Sequence, residues 1–327
     1  MKNTKLVALL LVLLFAFSAV GLAEETVTLH RAYGGTGSRS FARAAVLTKG
    51  DVILAAHVEE FAYTNAAEGI ITVPNGDNAE GFGAGSKEGK VLISKRMEPS
   101  YSAQMKEKAG ATMTVAENID LVQNFVVGKT VAELEEILKA ADPEKPVDAI
   151  SGSTATAGYN YLEAIVLAAK STDFAVEAKV AATEGLSLQY ALGAPHGSKA
   201  FGDAVVALQD GKVVMASIDE FQYTKGTGVP SSDGAFGENY ADPEKPLASK
   251  LVNNEAYSAN MAEKAKATKQ LAESYKIIQD FVVGKTSAEI LEFAGAQEAG
   301  KPVDAVTGAT LVDTVGYLTL IGQAAAQ

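Results

Sequence analysis

Lys145-Pro-Val-Asp-Ala-Ile-Ser-Gly-Ser-Thr154 and Lys301-Pro-Val-Asp-Ala-Val-Thr-Gly-Ala-Thr310 are two versions of one decapeptide, 156 positions apart. Working outward from them, more of the chain proves to be written twice. Phe125-Val-Val-Gly-Lys-Thr130 recurs as Phe281-Val-Val-Gly-Lys-Thr286, and Tyr101-Ser-Ala103 as Tyr257-Ser-Ala259. Glu60-Phe61 and Tyr63-Thr64 recur as Glu220-Phe221 and Tyr223-Thr224, here at an offset of 160. A period this long describes a whole domain and not one unit of a solenoid. The expectation is a tandem duplication with domains at 24–175 and 185–327, joined by a connector near 171–187.

Within each copy the hydrophobic patterns change in the same order. Phe41 to Val58 has apolar runs on either side of Lys49-Gly50-Asp51, and Ala204 to Ile218 has them around Asp210-Gly211, which predicts a β-hairpin in each. Long polar loops follow, Asn65 to Lys90 and Lys225 to Pro246, carrying Val73-Pro74 with Phe82-Gly83 and Val229-Pro230 with Phe236-Gly237. Loops of this length are commonly functional. Helical spacing runs through Tyr101–Phe125 and Tyr257–Phe281. Thr130 with Glu133, and Thr286 with Glu289, have the spacing of a capping box. A last helix is expected over Ala155–Lys170 and again over Leu311–Ala326. Each copy therefore reads as α+β, a small antiparallel sheet packed with helices.

The first residues differ from the rest. Lys2 and Lys5 precede an apolar run from Leu6 to Ala19, and Gly21-Leu22-Ala23 supplies small residues before Glu24. This is the layout of a secretory signal over 1–23, cleaved after Ala23, with an uncleaved anchor helix as the alternative. Export to the cell surface or beyond is the expectation. Loss of Lys2 and Lys5 would take the net charge from −12 to −14. A surface this acidic argues against nucleic acid and anionic lipid as partners. The chain has no cysteine, which excludes disulfides, thiolate-bound iron–sulfur clusters and thioether-linked haem.

Several tempting motifs fail. The repeated Gly-Lys-Thr lacks the earlier glycine of a phosphate-binding loop, since Gln123 and Gln279 stand there. Gly35-Thr-Gly37 and Gly83-Ala-Gly85 lack the third glycine of a dinucleotide fingerprint. His30, His57 and His196 are too scattered for a shared metal or base, and packing or solvent-facing roles are expected for them. No residue is read as catalytic and none as a metal ligand.

The hydroxyl clusters at Ser151–Thr154 and Thr307–Thr310 allow two readings. One is plain helix capping. The other adds that a helix N-terminus, with free N–H groups and partial positive charge, suits a phosphate group. Gly152 and Gly308 would let the backbone come close. Asp148-Ala-Ile-Ser151-Gly152-Ser153-Thr154 and Asp304-Ala-Val-Thr307-Gly308-Ala309-Thr310 resemble the flavinylation motif of FMN-binding domains. That family serves membrane-bound sodium-pumping and Rnf-type electron-transfer complexes and exported flavoproteins of Gram-positive extracellular electron transfer. The resemblance extends to the Tyr-Ser-Ala, Phe-Val-Val-Gly-Lys-Thr and Gly-Tyr-Leu segments.

The resemblance implies two tandem FMN-binding domains with up to two covalent FMN groups. The acceptor hydroxyls would be Thr154 and Thr310, joined to FMN through phosphoester bonds. Asp148, Ser151, Gly152, Asp304, Thr307, Gly308 and Ala309 would be recognition residues. The second copy matches the pattern in full, whereas the first has Ser153 where the pattern prefers alanine. An unaided threonine hydroxyl is a weak nucleophile, so a dedicated flavin transferase is the implied partner. The implied role is electron carriage from a membrane quinol-linked donor to a soluble or surface acceptor. Phe61, Tyr63, Tyr101, Phe221, Tyr223 and Tyr257 are candidates for stacking on the flavin ring, with core packing the competing fate. The Val-Pro and Phe-Gly loops are candidates for covering it. The rival function is an exported tandem binding module of the cell envelope without flavin.

Overall fold

Ser40 to Thr48 is buried at every position, although it includes Arg43. A strand covered on both faces shows no alternation in its sequence, and this one lies at the middle of the molecule. The computed structural model describes residues 24–150, 152, 156–303, 305–306 and 311–327. The expected signal segment at 1–23, together with Ser151, Thr154, Asp304, Thr307, Gly308, Ala309 and Thr310, lies outside the described residues.

The protein is mixed α+β with two antiparallel sheets. The first sheet contains β1 (Glu25–Gly35), β2 (Ser40–Lys49), β3 (Val52–Asn65), β4 (Lys90–Ser94) and β5 (Val176–Val180), in the order β4-β3-β2-β1-β5. The second contains β6 (Ser187–Gly193), β7 (Phe201–Gln209), β8 (Lys212–Tyr223) and β9 (Leu247–Ser249), in the order β6-β7-β8-β9. Each expected hairpin is present, turning through Gly50 at φ +60° in one and through Asp210 and Gly211 at +51° and +74° in the other. The stretch read as connector holds β5, which pairs with β1.

Helices α1 (Pro99–Ala109), α2 (Val115–Val126), α3 (Val131–Ala140) and α4 (Ala157–Lys170) follow the first hairpin. Helices α5 (Asn254–Ala265), α6 (Leu271–Val282), α7 (Ser287–Gly295) and α8 (Thr314–Ala324) follow the second. The expected capping boxes at Thr130 and Thr286 are formed. The helical stretch from Tyr101 is broken, because Gly110 takes a left-handed conformation at φ +66° and ends α1. Its counterpart break falls at Lys266, also left-handed at φ +56°.

Strand alternation sorts the interior into layers. Ala42, Ala44, Val46 and Val58 face α2, α3 and α4, while Ala204, Val206 and Ile218 face α6, α7 and α8. The intervening positions, among them Phe41, Ala45, Leu47, Phe61, Phe201, Val205, Ala207 and Phe221, point from each sheet into the other. The result is helices, sheet, sheet, helices, with a shared core between the sheets.

The contacts between the halves repeat about an internal two-fold. Tyr63 and Tyr223 hydrogen-bond to each other through their hydroxyls. Asn75 donates to the carbonyls of Gly197 and Ala200 at 2.7 and 2.8 Å, and Ser231 Oγ lies 2.7 and 2.9 Å from those of Gly37 and Ser40. Both Asn75 and Ser231 hold left-handed backbones, at φ +63° and +68°. Lys87 N–H donates to Asn239 and Ala241 N–H to Gly85. Self-complementary contacts of this kind are those of an isologous dimer, here within one chain.

At the centre Arg43 meets Asp203, the residue at its own offset of 160, at 2.7 and 2.9 Å. Arg31 adds a contact to the same carboxylate at 2.6 Å. Burial would raise Asp203, but the two guanidinium groups outweigh it and hold the carboxyl below its usual range. His57 lies against Tyr190, with ring centres 3.8 Å apart and planes tilted by 36°, and accepts from Arg43 at 2.8 Å. Burial and the Arg43 charge push its pKa well down, which keeps the imidazole neutral.

Candidate functional site

In the second half a carboxylate lies under the start of the last helix. Glu220 is at a buried position of β8, and three elements bring donors to it. Lys250, just after β9, donates to Oε1 at 2.6 Å, and the Tyr317 hydroxyl of α8 donates to Oε2. His196 comes from the β6–β7 loop, with Nδ1 2.8 Å from Lys250 Nζ and 3.3 Å from Glu220 Oε1. Burial would raise Glu220, yet Lys250 and His196 hold it below the usual carboxylate range. Lys250 is raised in turn, its burial outweighed by Glu220, and its ammonium sits 4.6 Å over the Tyr257 ring.

A cavity of about 570 Å³ opens over this cluster. Its apolar wall is Met261, Leu271, Leu311 and Val312, and Tyr257 and Tyr317 supply aromatic rings. Lys199, Lys264 and Lys266 line it with positive charge, and Asp313 faces His196 Nε2 at 3.6 Å. Burial lifts Asp313 above the ordinary carboxylate range against the pull of His196. Lysine at position 266 keeps a left-handed backbone where the first half has Gly110. Such a conformation in a residue with a side chain is strained and is concentrated at binding sites. The lining residues Leu311, Val312 and Asp313 directly follow Thr310 in the chain.

The first half has the same scaffold with different fittings. Glu60 Oε1 accepts from Lys95, Ser40 and Thr36 at 2.7, 2.6 and 2.8 Å, and Oε2 accepts from Tyr161 at 2.6 Å. Lys95 stands 4.8 Å over Tyr101. Thr36 occupies the place of His196, Ser40 that of Ala200, and Ala157 that of Asp313.

The segments around the two decapeptides share one geometry. Val147 and Ile150 are buried and joined by a 2.9 Å backbone hydrogen bond, as Val303 and Val306 are at 3.0 Å. Asp148 is exposed beside a 350 Å³ hollow lined by Ile137, Asp142 and Lys145. Gly152 has φ +87°, a conformation open to glycine at little cost. The last helices begin later than expected, at Ala157 and Thr314, and their N-cap residues are Thr156 and Asp313. Neither caps the helix through its side chain, so capping by side chains does not account for these two residues.

The ring-stacking candidates divide. Tyr257 lines the cavity and Tyr101 holds the matching position under Lys95. Phe61 and Phe221 are wholly buried between the sheets, 6.0 Å apart, and Tyr63 and Tyr223 are occupied with each other. Phe61 and Phe221 are therefore core, a correction that follows from their pointing to the sheet–sheet side of β3 and β8, while Tyr63 and Tyr223 are half-buried and pack against the edge of the same cluster. The Val-Pro and Phe-Gly loops are corrected likewise, since Val73, Phe82, Val229 and Phe236 pack into the same core. Sequence reasoning also missed Lys250, Tyr317, Asp313 and the role of His196. The signal within reach was the twice-kept Glu-Phe pair, an acid inside an apolar strand in both copies.

Among the described residues no cluster of three or more metal-ligating side chains occurs, and no helix is long and apolar enough to cross a membrane. Comparison with family models, curated proteins and solved structures gives no match.

Proposed function

We propose that the chain is an exported electron carrier of two tandem FMN-binding domains, holding covalent FMN on Thr310 and Thr154. The observation that carries this reading is the cavity whose wall includes the three residues following Thr310. Its volume of about 570 Å³ is in the range of small-molecule sites. The residues fit the group. Tyr257, Met261 and Leu271 offer a flat, apolar surface to an aromatic ring system, and Lys199, Lys264 and Lys266 offer charge to a phosphate. The flavin supplies the redox chemistry, and the protein supplies placement and electrostatics. Buried anchors on one side, Val303 and Val306, and α8 on the other would fix the ends of the attachment segment.

The same reading names the partners. A flavin transferase attaches FMN, a membrane quinol-linked donor reduces it, and a soluble or surface acceptor oxidises it. The recurring element order and the internal two-fold support duplication of one domain. The flavin-free binding module is the outcome to be tested against. Protein co-expressed with a flavin transferase should stay yellow after denaturation, with its mass raised by one or two FMN phosphoester units. Thr310→Ala should remove one of them. Colourless protein of unmodified mass would favour the binding module.

A further inference from the structure

We propose that β1, at Arg31 and Tyr33, takes an extended peptide segment of a partner protein by strand addition, with a bulky apolar side chain of that segment seated in the cavity alongside. This place shares no lining residue with the second-half cavity.

Strand β5 covers β1 only from Glu25 to Leu29, and beyond Leu29 no strand lies on that side of β1 among the described residues. The register decides which groups face the uncovered side. Lys95 N–H donates to the Glu60 carbonyl at 2.9 Å, so Glu60 faces β4, and by alternation Glu59 faces β2 and its partner Arg43. Ala42 and Ala44, flanking Arg43, then face β1, and their partners Gly34 and Ala32 face back to them. Arg31 and Tyr33 therefore turn their N–H and C=O groups outward. Neither residue has a backbone hydrogen bond on that side among the described residues. Arg31 has no exposure to water, and a buried N–H and C=O call for a partner. Two residues back along the strand, Leu29 meets that need by pairing with Val176 of β5. Arg31 pairs with Ala45 as Tyr190 pairs with Val205, which makes Tyr190 its equivalent in β6. Tyr190 is partly exposed, so water serves the backbone there.

A cavity of about 470 Å³ borders Arg31, Ala32 and Tyr33 in succession. Successive side chains of a strand point to opposite faces, so a cavity touching all three runs along the strand's edge. The Arg31 side chain is spent inward, with Nη1 on Asp203 at 2.6 Å and Nε on Ser217 Oγ at 2.9 Å. The other walls are mostly apolar, formed by Leu167, Phe174, Val229, Pro230 and Val252. Leu167 and Val252 are 46% and 45% exposed, which is high for large apolar side chains. Phe174 holds a left-handed backbone at φ +60°, strain of the kind concentrated at binding sites. Main-chain pairing at an edge, with a pocket for an alternate side chain, is the pattern of peptide recognition by strand addition. The net charge of −12 favours a segment with cationic flanks.

The test titrates the ¹⁵N-labelled protein with acetyl-Lys-Val-Leu-Val-Lys-amide and follows its amide signals. The signals of Arg31 and Tyr33 should shift and saturate. The same peptide with its central leucine N-methylated has lost a main-chain donor and should bind about tenfold more weakly or worse. Leu167→Lys and Val252→Lys place a charge at the half-exposed wall, where the fold tolerates it, and should each weaken binding by a similar factor. Unchanged unfolding midpoints show that these variants are folded. No saturable shift up to about 5 mM peptide, or equal affinity for the N-methylated form, would overturn the proposal. Shifts of Arg31 and Tyr33 that follow protein concentration instead of peptide would also overturn it, and would assign this edge to a second copy of the chain.

Discussion

Glu59 has no exposure, accepts a hydrogen bond from the Ser94 hydroxyl, and leaves its second oxygen without a partner. Burial, partly opposed by Ser94 and Arg43, pushes its pKa from 4.5 up to about 7. The sign of the linkage follows. The folded state holds this proton more tightly than the unfolded one, so stability is lost as pH rises from about 4.5 to about 7 and is level above that. Glu59→Gln keeps an acceptor for Ser94 and removes the charge. It should stabilise the protein by up to about 3 kcal/mol at pH 8 and have little effect near pH 4. Urea unfolding at both pH values measures this, and a gain that does not grow with pH would refute the assignment. Glu60 differs by one position and by environment: Lys95, Ser40 and Tyr161 overcome its burial and hold it ionised.

The helix starts show what single elements owe to local sequence. Thr286 accepts from the Glu289 N–H while Glu289 bonds back to the Thr286 N–H, so two of the helix's unpaired donors are satisfied. Thr286→Ala should cost about 1 kcal/mol in thermal or chemical unfolding. No loss would mean that α7 is fixed by packing alone. These boxes, the hairpins and their Asp-Gly-type turns were legible in the sequence because their causes are local. The starts of α4 and α8 were not, since Thr156 and Asp313 make no side-chain cap that a motif could announce. Strand β5 was read as connector because Val176-Glu-Ala-Lys-Val180 is short and pairs with β1, whose sequence is remote. The fate of Phe61 and Tyr63 was hidden for a related reason. Alternation assigns residues to a face, but whether that face meets a ligand or a second sheet depends on the other half. Among the residues lining the cavity, Tyr257 is singled out in the sequence by repetition, whereas His196 is not, because its partners Lys250 and Asp313 are more than 50 positions away.

For the whole molecule, the shared core makes the two halves one body. A position on the internal two-fold faces its own counterpart, and Arg43 opposite Asp203 gives that position opposite charges. Asp203→Ala would leave Arg31 and Arg43 buried without their carboxylate, at a cost of about 3–5 kcal/mol. Denaturant unfolding should show this loss as one cooperative transition. Two separated transitions, or a change below about 1 kcal/mol, would contradict a core held in common. A fixed relation between the halves would also hold two prosthetic groups at constant separation, as relay between them requires. The account depends most on whether the cavity after Thr310 belongs to an attached flavin. The direct measurement is the mass of the tryptic peptide spanning Thr310, from protein matured with a flavin transferase. The account predicts the added mass of one FMN phosphoester, lost in Thr310→Ala, and an unmodified peptide from colourless protein would contradict it.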